Sequence, residues 1–353
     1  MNKILINGNF LCRNLTGIER FAFETCRNLD NLLDEKADIS ILVPANAKVI
    51  PQYKNIKLIK SKKEIHGFPF WDMGTFAAAC KKTKSAGLNF SNTAPLGKLC
   101  GYSFIHDVYA KDFPKDFVSF KDTLIKLYCQ ISYRNIAKYA KQVLTVSEFS
   151  KERINYWYKT PLEKISVIPN GWDHFKNIEA DSGIFEKFPL LKTKEFYFTL
   201  GSLQKRKNLK WILEYASKHP EETFAVSGKT ISGMESTNIK DLSKASNIIM
   251  LGYVSDGEVK ALMEKCSAFL FPSYYEGFGI PPLEALSAGA KIIISDAASL
   301  KEIYGTSAVY IDPHNTNVEL KELMKIPTTG AEKVLEKYTY LNASKELLKV
   351  LSK

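Results

Sequence analysis

A chain of 353 residues, 45% of them hydrophobic, has enough apolar material for two cored domains, and no apolar run approaches the roughly 20 residues that cross a bilayer. The net charge of +11 lies wholly in the first half: residues 1–170 hold 26 Lys and Arg against 15 Asp and Glu, whereas residues 171–353 hold 23 of each. A basic half points to an anionic partner. Without a zinc-finger, RNP or helix-turn-helix signature, that partner is expected to be a membrane leaflet and not a nucleic acid.

Short apolar runs alternate with helical patterns from the start. Residues 3–7 read as a strand. Ile18, Phe21, Ala22, Thr25, Leu29 and Leu32 recur at helical spacing, so a helix is expected to start near Gly17. Strands follow at 39–44, near 56–59, at 87–90 and at 102–105, the last ending just before His106-Asp107. The stretch FPFWDMGTFAAACKKTKS between them reads as an aromatic loop and a helix. A long helix is expected over 119–141, with Leu124, Leu127, Tyr128 and Ile131 on one face. Strand 142–146 ends at Ser147, which is placed to cap the next helix. Strand 165–168 leads into the turn Pro169-Asn170-Gly171.

The second half opens with strand 196–201 and the segment SLQKRKNLKWILEYA. Arg206 and Lys207 stand at the predicted helix start, where the helix dipole favours anions, and a bound diphosphate would resolve that conflict. Strands at 224–228 and 248–255 flank a polar stretch, 229–246, and a helix starts at Asp256. Strand 268–271 then enters FPSYYEGFGIPPLEALSAGA. Gly277 and Gly279 permit close backbone approaches, and Pro281 and Pro282 open a helix whose N-terminus suits an anion. Glu276 and Glu284 frame this turn. Taken singly, they read as a solvated loop acid and a helix-dipole carboxylate; together they suggest a loop shaped around a polar ligand. Strands 291–295 and 308–313 and a terminal helix over about 331–351 complete the chain. Alternating strands and helices argue for doubly wound parallel sheets.

The Glu276–Glu284 turn resembles the E-x7-E motif of retaining glycosyltransferases of GT-B fold, family 4. The resemblance extends through Gly17-Ile18, IHDVYAKDFP, TVSEFSKERI, VIPNGWD, Arg206-Lys207-Asn208, LGYVSDGEV and SAVYIDP, essentially the whole chain. Departures are Tyr340 where relatives often carry Trp, and Lys301 where Pro is common. The implied architecture is two Rossmann-like domains: residues 1–170 plus the terminal helix (about 331–353) on the acceptor and membrane side, and residues 171–330 binding the donor.

The resemblance implies transfer of a hexose from a GDP-, UDP- or dTDP-sugar to a lipid-linked or saccharide acceptor in bacterial surface-polysaccharide synthesis, with the anomeric configuration retained. Arg206 and Lys207 would face the donor diphosphate, Glu276 the sugar hydroxyls, Glu284 the ribose and His106 the sugar near its C6 hydroxyl. Gly17, Ser202, Tyr253, Gly277, Phe278, Gly279 and Ile280 would complete the donor site. No cofactor or metal is expected, since no Asp-x-Asp cluster is present. The six cysteines (Cys12, Cys26, Cys80, Cys100, Cys129, Cys266) lack metal spacing and read as reduced core thiols. With no signal-like h-region at the start, the expected location is the cytoplasm, peripheral at the inner membrane. Two other functions fit the same resemblance: a nucleotide-sugar 2-epimerase, and a catalytically silent nucleotide-sugar-binding scaffold.

Overall fold

The computed structural model describes residues 3–201, 204–228 and 245–353. The chain forms two compact units: Met1–Pro114 with Thr123–Gly171 and Tyr338–Lys353, and Lys115–Asp122 with Trp172–Lys337.

The first unit holds a seven-stranded sheet of β1 (Ile4–Asn7), β2 (Ile39–Val43), β3 (Lys57–Lys60), β4 (Ala86–Asn89), β5 (Tyr102–Phe104), β6 (Gln142–Thr145) and β7 (Ile165–Val167). The order is β3-β2-β1-β4-β5-β6-β7, and every pairing is parallel. The second unit holds β8 (Tyr197–Leu200), β9 (Phe224–Ser227), β10 (Ile248–Gly252), β11 (Ala268–Phe271), β12 (Ile292–Ser295) and β13 (Val309–Ile311). These run β10-β9-β8-β11-β12-β13, again all parallel.

Every predicted apolar run forms a strand, because strands covered on both faces read as continuous hydrophobic stretches. Strand β10 stops at Gly252, short of the predicted Ser255. Gly252 takes φ 67°, and Ser255 is committed to capping the next helix. Edge strand β3 is exposed along its length, and its lysines discourage pairing with another chain.

Among the helices of the described residues, those that frame the candidate sites or the sheets' cores are α1 (Ile18–Leu32), α2 (Phe120–Tyr139), α3 (Glu148–Tyr158), α4 (Leu209–Lys218), α5 (Asp256–Lys265), α6 (Ile280–Ser287) and α7 (Tyr340–Leu351). Ser147 caps α3 by accepting from the Ser150 amide at 3.1 Å. Ser255 and Glu258 form a capping box on α5, satisfying two otherwise orphaned donors.

The aromatic stretch is helical from Phe68 to Thr83, with a π-helical middle, Trp71–Phe76. Trp71 and Phe76 are core residues, whereas Phe70 is exposed.

The terminal stretch is two helices and not the single one expected. Ala331–Lys337 groups with the second unit. Thr339 then caps α7 by accepting from the Asn342 amide, and α7 packs in the first unit. Its Tyr340 ring lies 6.3 Å from Phe21, Ser344 donates to the Thr25 carbonyl at 2.9 Å, and Leu347 and Leu351 are fully buried.

Candidate active site

In the second unit the site is built at the C-terminal ends of the strands, where open parallel sheets place ligands. After β8 the chain makes a short 3-10 turn, Lys205–Lys207, before α4. Arg206 and Lys207 therefore precede α4 and do not sit in its first turn. Asn208 makes this possible. It adopts left-handed angles (φ 57°) and donates through Nδ2 to the carbonyls of Pro272 at 3.0 Å and Pro313 at 2.8 Å. One side chain thus ties the loop to the ends of β11 and β13.

The turn after β11 is anchored through its carbonyls. Ser299 Oγ reaches the carbonyl oxygens of Glu276 (3.0 Å) and Phe278 (3.3 Å), and Tyr304 OH donates to that of Gly279. Arg206 Nη1 donates to the Tyr275 carbonyl at 3.3 Å, and the Tyr274 amide to the Arg206 carbonyl at 3.0 Å. Gly279 sits at φ 92°, and a Cβ there would meet Leu300 Cδ2 at 2.6 Å. Both the backbone angle and the packing call for glycine.

Arg206, Lys207 and Glu276, predicted separately, converge. Glu276 Oε2 lies 3.0 Å from Arg206 Nη1, and its Oε1 lies 2.7 Å from Lys207 Nζ. Glu276 as a residue is 5% exposed, which excludes the solvated-loop reading. Burial alone would raise its pKa, but Lys207 and then Arg206 outweigh that and hold it below the ordinary carboxylate value. Lys207 also lies over the Phe271 ring, 4.8 Å from its centroid. Two cations thus share the one Glu276 carboxylate.

Gly277, Phe278, Gly279 and Ile280 run directly from Glu276 into α6. That helix begins at Ile280, so Glu284 lies beyond its first turn, where a simple helix-dipole role fades. Its Oε1 is instead 3.1 Å from Nε2 of His174, a nearly buried residue that sequence reasoning missed. A lone His after a Pro-Asn-Gly turn gives no periodic signal. Also missed was Asp116, which groups with this unit: it pairs with Lys205 at 2.9 Å and accepts from Tyr274 OH at 2.5 Å. Tyr253, just past β10, is 68% exposed. Ser202 lies outside the described residues.

His106 and Gly17 belong to the first unit. The His106 ring is buried, stacked on Phe104 at 5.2 Å and edge-on to Phe21 at 5.4 Å. Phe21 lies one turn past Gly17, whose carbonyl accepts its amide. His106 Nε2 lies 2.6 Å from the Phe90 carbonyl oxygen. A carbonyl only accepts, so that nitrogen carries the proton. Burial lowers the imidazole's pKa, keeping the ring neutral.

All six cysteines are free thiols. Among the described residues, His219, Glu221 and Glu222 bring potential metal-ligand atoms within 4.8 Å of one another. They follow α4, and the His219 ring is stacked on Tyr215 at 4.2 Å.

Residues 182–326 match the family of glycosyl transferases group 1. The chain is 30% identical over 213 residues to the O-antigen chain mannosyltransferase RfbU of Salmonella typhimurium, covering 59% of this chain and 56% of that protein. It spans about half the length of the curated relatives it matches. Among solved structures, sucrose-phosphate synthase from Thermosynechococcus elongatus superposes with a TM-score of 0.74 at 13% identity, covering 100% of this chain and 98% of that one. Anabaena HepE in complex with UDP and glucose gives 0.70 at 14% identity, covering both chains fully. Residues 182–326 are thus a domain of the glycosyl transferases group 1 family, in a chain of GT-B fold.

Proposed function

We propose that this chain is a retaining glycosyltransferase that moves a hexose from a nucleotide diphosphosugar to a saccharide acceptor in bacterial surface-polysaccharide synthesis. The observation that carries the reading is the convergence of Arg206 and Lys207 on buried Glu276 beside the N-terminus of α6. Relatives named as O-antigen mannosyltransferases support the process, and a neighbour of like fold bound to UDP and glucose supports the donor class.

In such a transfer, negative charge grows on the departing diphosphate as the sugar becomes oxocarbenium-like. Cations already held in place stabilise that charge without reorganising at the moment of reaction. Glu276 holds both: it fixes Arg206 and Lys207 within 3.0 Å of itself, and its remaining lone pairs are available to sugar hydroxyls. Pro281 and Pro282 supply no N–H, so backbone contacts to phosphate would come from the 277–280 turn. Glu284, oriented by His174, would take the ribose. Neutral His106 would use Nδ1, since Nε2 is engaged. The acceptor is proposed to be lipid-linked, with the basic first unit at an anionic leaflet.

Turnover tests this reading. GDP-mannose leads the donors to try, followed by UDP- and dTDP-hexoses, each with and without a saccharide acceptor, with the anomeric proton followed by NMR. Acceptor-dependent release of the nucleoside diphosphate and retained configuration are expected. Inverted product would contradict the mechanism. Conversion of the donor alone would indicate an epimerase, and donor binding without any turnover would indicate a scaffold.

A further inference from the structure

We infer that the first unit carries a second ligand site, for a phosphate or diphosphate group borne on an apolar chain, between the C-terminal half of α2 and the end of α3. A cavity of about 690 Å³ opens there, within the size range of small-molecule sites. Five cations line it: Lys111, Arg134, Lys138, Lys159 and Lys164, with no Asp or Glu among the described residues of its wall. None of the five makes an ion pair with a carboxylate among the described residues. Four of them, all but Arg134, lie against rings or carbonyls. Lys111 lies 4.9 Å from the Trp157 ring centroid and Lys159 5.4 Å from that of Tyr156, and Lys164 Nζ donates to the Lys138 carbonyl at 3.1 Å.

Like charges gathered around a hollow repel one another, and an anion inside it would relieve that repulsion. The wall is also built in advance: Asp112 accepts from the Trp157 indole N–H at 2.6 Å and is bound by Arg153, which fixes the ring over which Lys111 lies.

A second observation points to a ligand. Thr160 lines the cavity and is 3% exposed, yet among the described residues its hydroxyl has no hydrogen-bond partner; the buried Tyr158 hydroxyl, in the same wall, has none among them either. Buried hydroxyls left unpaired are costly, and phosphate oxygens would accept from both.

The apolar part of the ligand follows from α2. This helix buries Asp122, Ser132 and Asn135 and leaves Leu124, Leu127 and Ile131 about half exposed. Leu127 and Ile131 belong to the cavity wall, and Leu124 extends the stripe by one turn at helical spacing. An inorganic ion or a nucleic acid would leave that stripe bare, whereas an amphiphile covers it.

The inference deepens the lipid-side part of the proposed function and rests on it only for the ligand's source, either a lipid-linked acceptor or an anionic membrane lipid. It shares no residue with the Arg206, Lys207 and Glu276 site.

The test is calorimetry on the full chain with farnesyl diphosphate and with inorganic diphosphate, beside flotation with phosphatidylcholine vesicles containing or lacking one-third phosphatidylglycerol. Arg134→Ala/Lys138→Ala removes two exposed cations. It is expected to weaken farnesyl diphosphate roughly tenfold to a hundredfold and inorganic diphosphate in parallel. Leu127→Ser/Ile131→Ser should weaken the farnesyl ligand alone. Parallel loss of vesicle binding in the cation variant would name membrane lipid as the source; vesicles that never bind would name a diphosphate-linked acceptor.

Farnesyl diphosphate bound equally by wild type and the cation variant overturns the site, as does a variant that loses vesicles while keeping that ligand. Nucleotide-sugar binding in the same samples separates the two readings. If no nucleotide sugar binds the wild type while farnesyl diphosphate behaves as expected, the transferase proposal falls and this site stands.

Discussion

Glu276 is the residue on which the proposed chemistry turns, and its two cations are separable. Lys207→Ala should lower kcat/KM by about a hundredfold, or about 3 kcal/mol of transition-state stabilisation; steady-state kinetics on a variant of near-native unfolding midpoint checks it, and near-normal turnover would remove Lys207 from the mechanism. Glu276→Gln tests the electrostatics. The folded carboxyl binds its proton less readily than the unfolded one. The stabilisation it supplies is therefore complete above the ordinary carboxylate value and is lost as pH falls through the lower folded value. The stability gap between wild type and Glu276→Gln in urea unfolding should be about 3 kcal/mol at neutral pH and shrink below about pH 4. A gap unchanged at the acid end would mean that the charge is not what holds the trio. The trio's members were legible in sequence because glycines and prolines set Glu276 in a strand-turn-helix, and two adjacent cations before a helix defy its dipole. Their meeting was not legible, since 69 residues separate Lys207 from Glu276. Nor was His174, the partner of Glu284.

At the scale of elements, the 276–279 turn is held by its carbonyls and by a glycine that cannot be replaced without cost. Gly279→Ala places a Cβ 2.6 Å from Leu300 Cδ2 at φ 92°, and a destabilisation of about 1–3 kcal/mol is expected. Denaturant unfolding measures this directly, and an unchanged midpoint would show that Leu300 and the backbone relax freely. Strands were readable because parallel sheets covered by helices demand unbroken apolar runs, as in ISILV of β2 and IIIS of β12. Helix α2 was readable as a helix but not in its orientation. Leu124, Leu127 and Ile131 face outward, while its buried face carries Tyr133 and Ile136 beside Asp122, Ser132 and Asn135, so periodicity located the stripe without saying what covers it. The break at Tyr338-Thr339 was not readable because a Thr cap inside a helical pattern is a weak signal beside the apolar spacing on either side.

For the whole molecule, two parallel sheets followed from the alternation of elements, and the GT-B resemblance named the fold. The return of α7 to the first unit was implied by the resemblance and not by the residue pattern, because Ser344 and Thr25 meet across 319 residues and apolar spacing identifies a buried face without its partner. The charge asymmetry could be read, but charge alone does not reveal the cavity between α2 and α3. The central claim is that the second unit binds a nucleotide diphosphosugar through Arg206, Lys207 and Glu276. It is tested most directly by thermal unfolding of wild type and Arg206→Ala/Lys207→Ala against GDP-, UDP- and dTDP-hexoses. One donor is predicted to stabilise the wild type by roughly 2.7 kcal/mol at a hundred times its Kd and to leave the double variant nearly unmoved. Stabilisation of neither protein by any donor, or of both equally, would contradict the account.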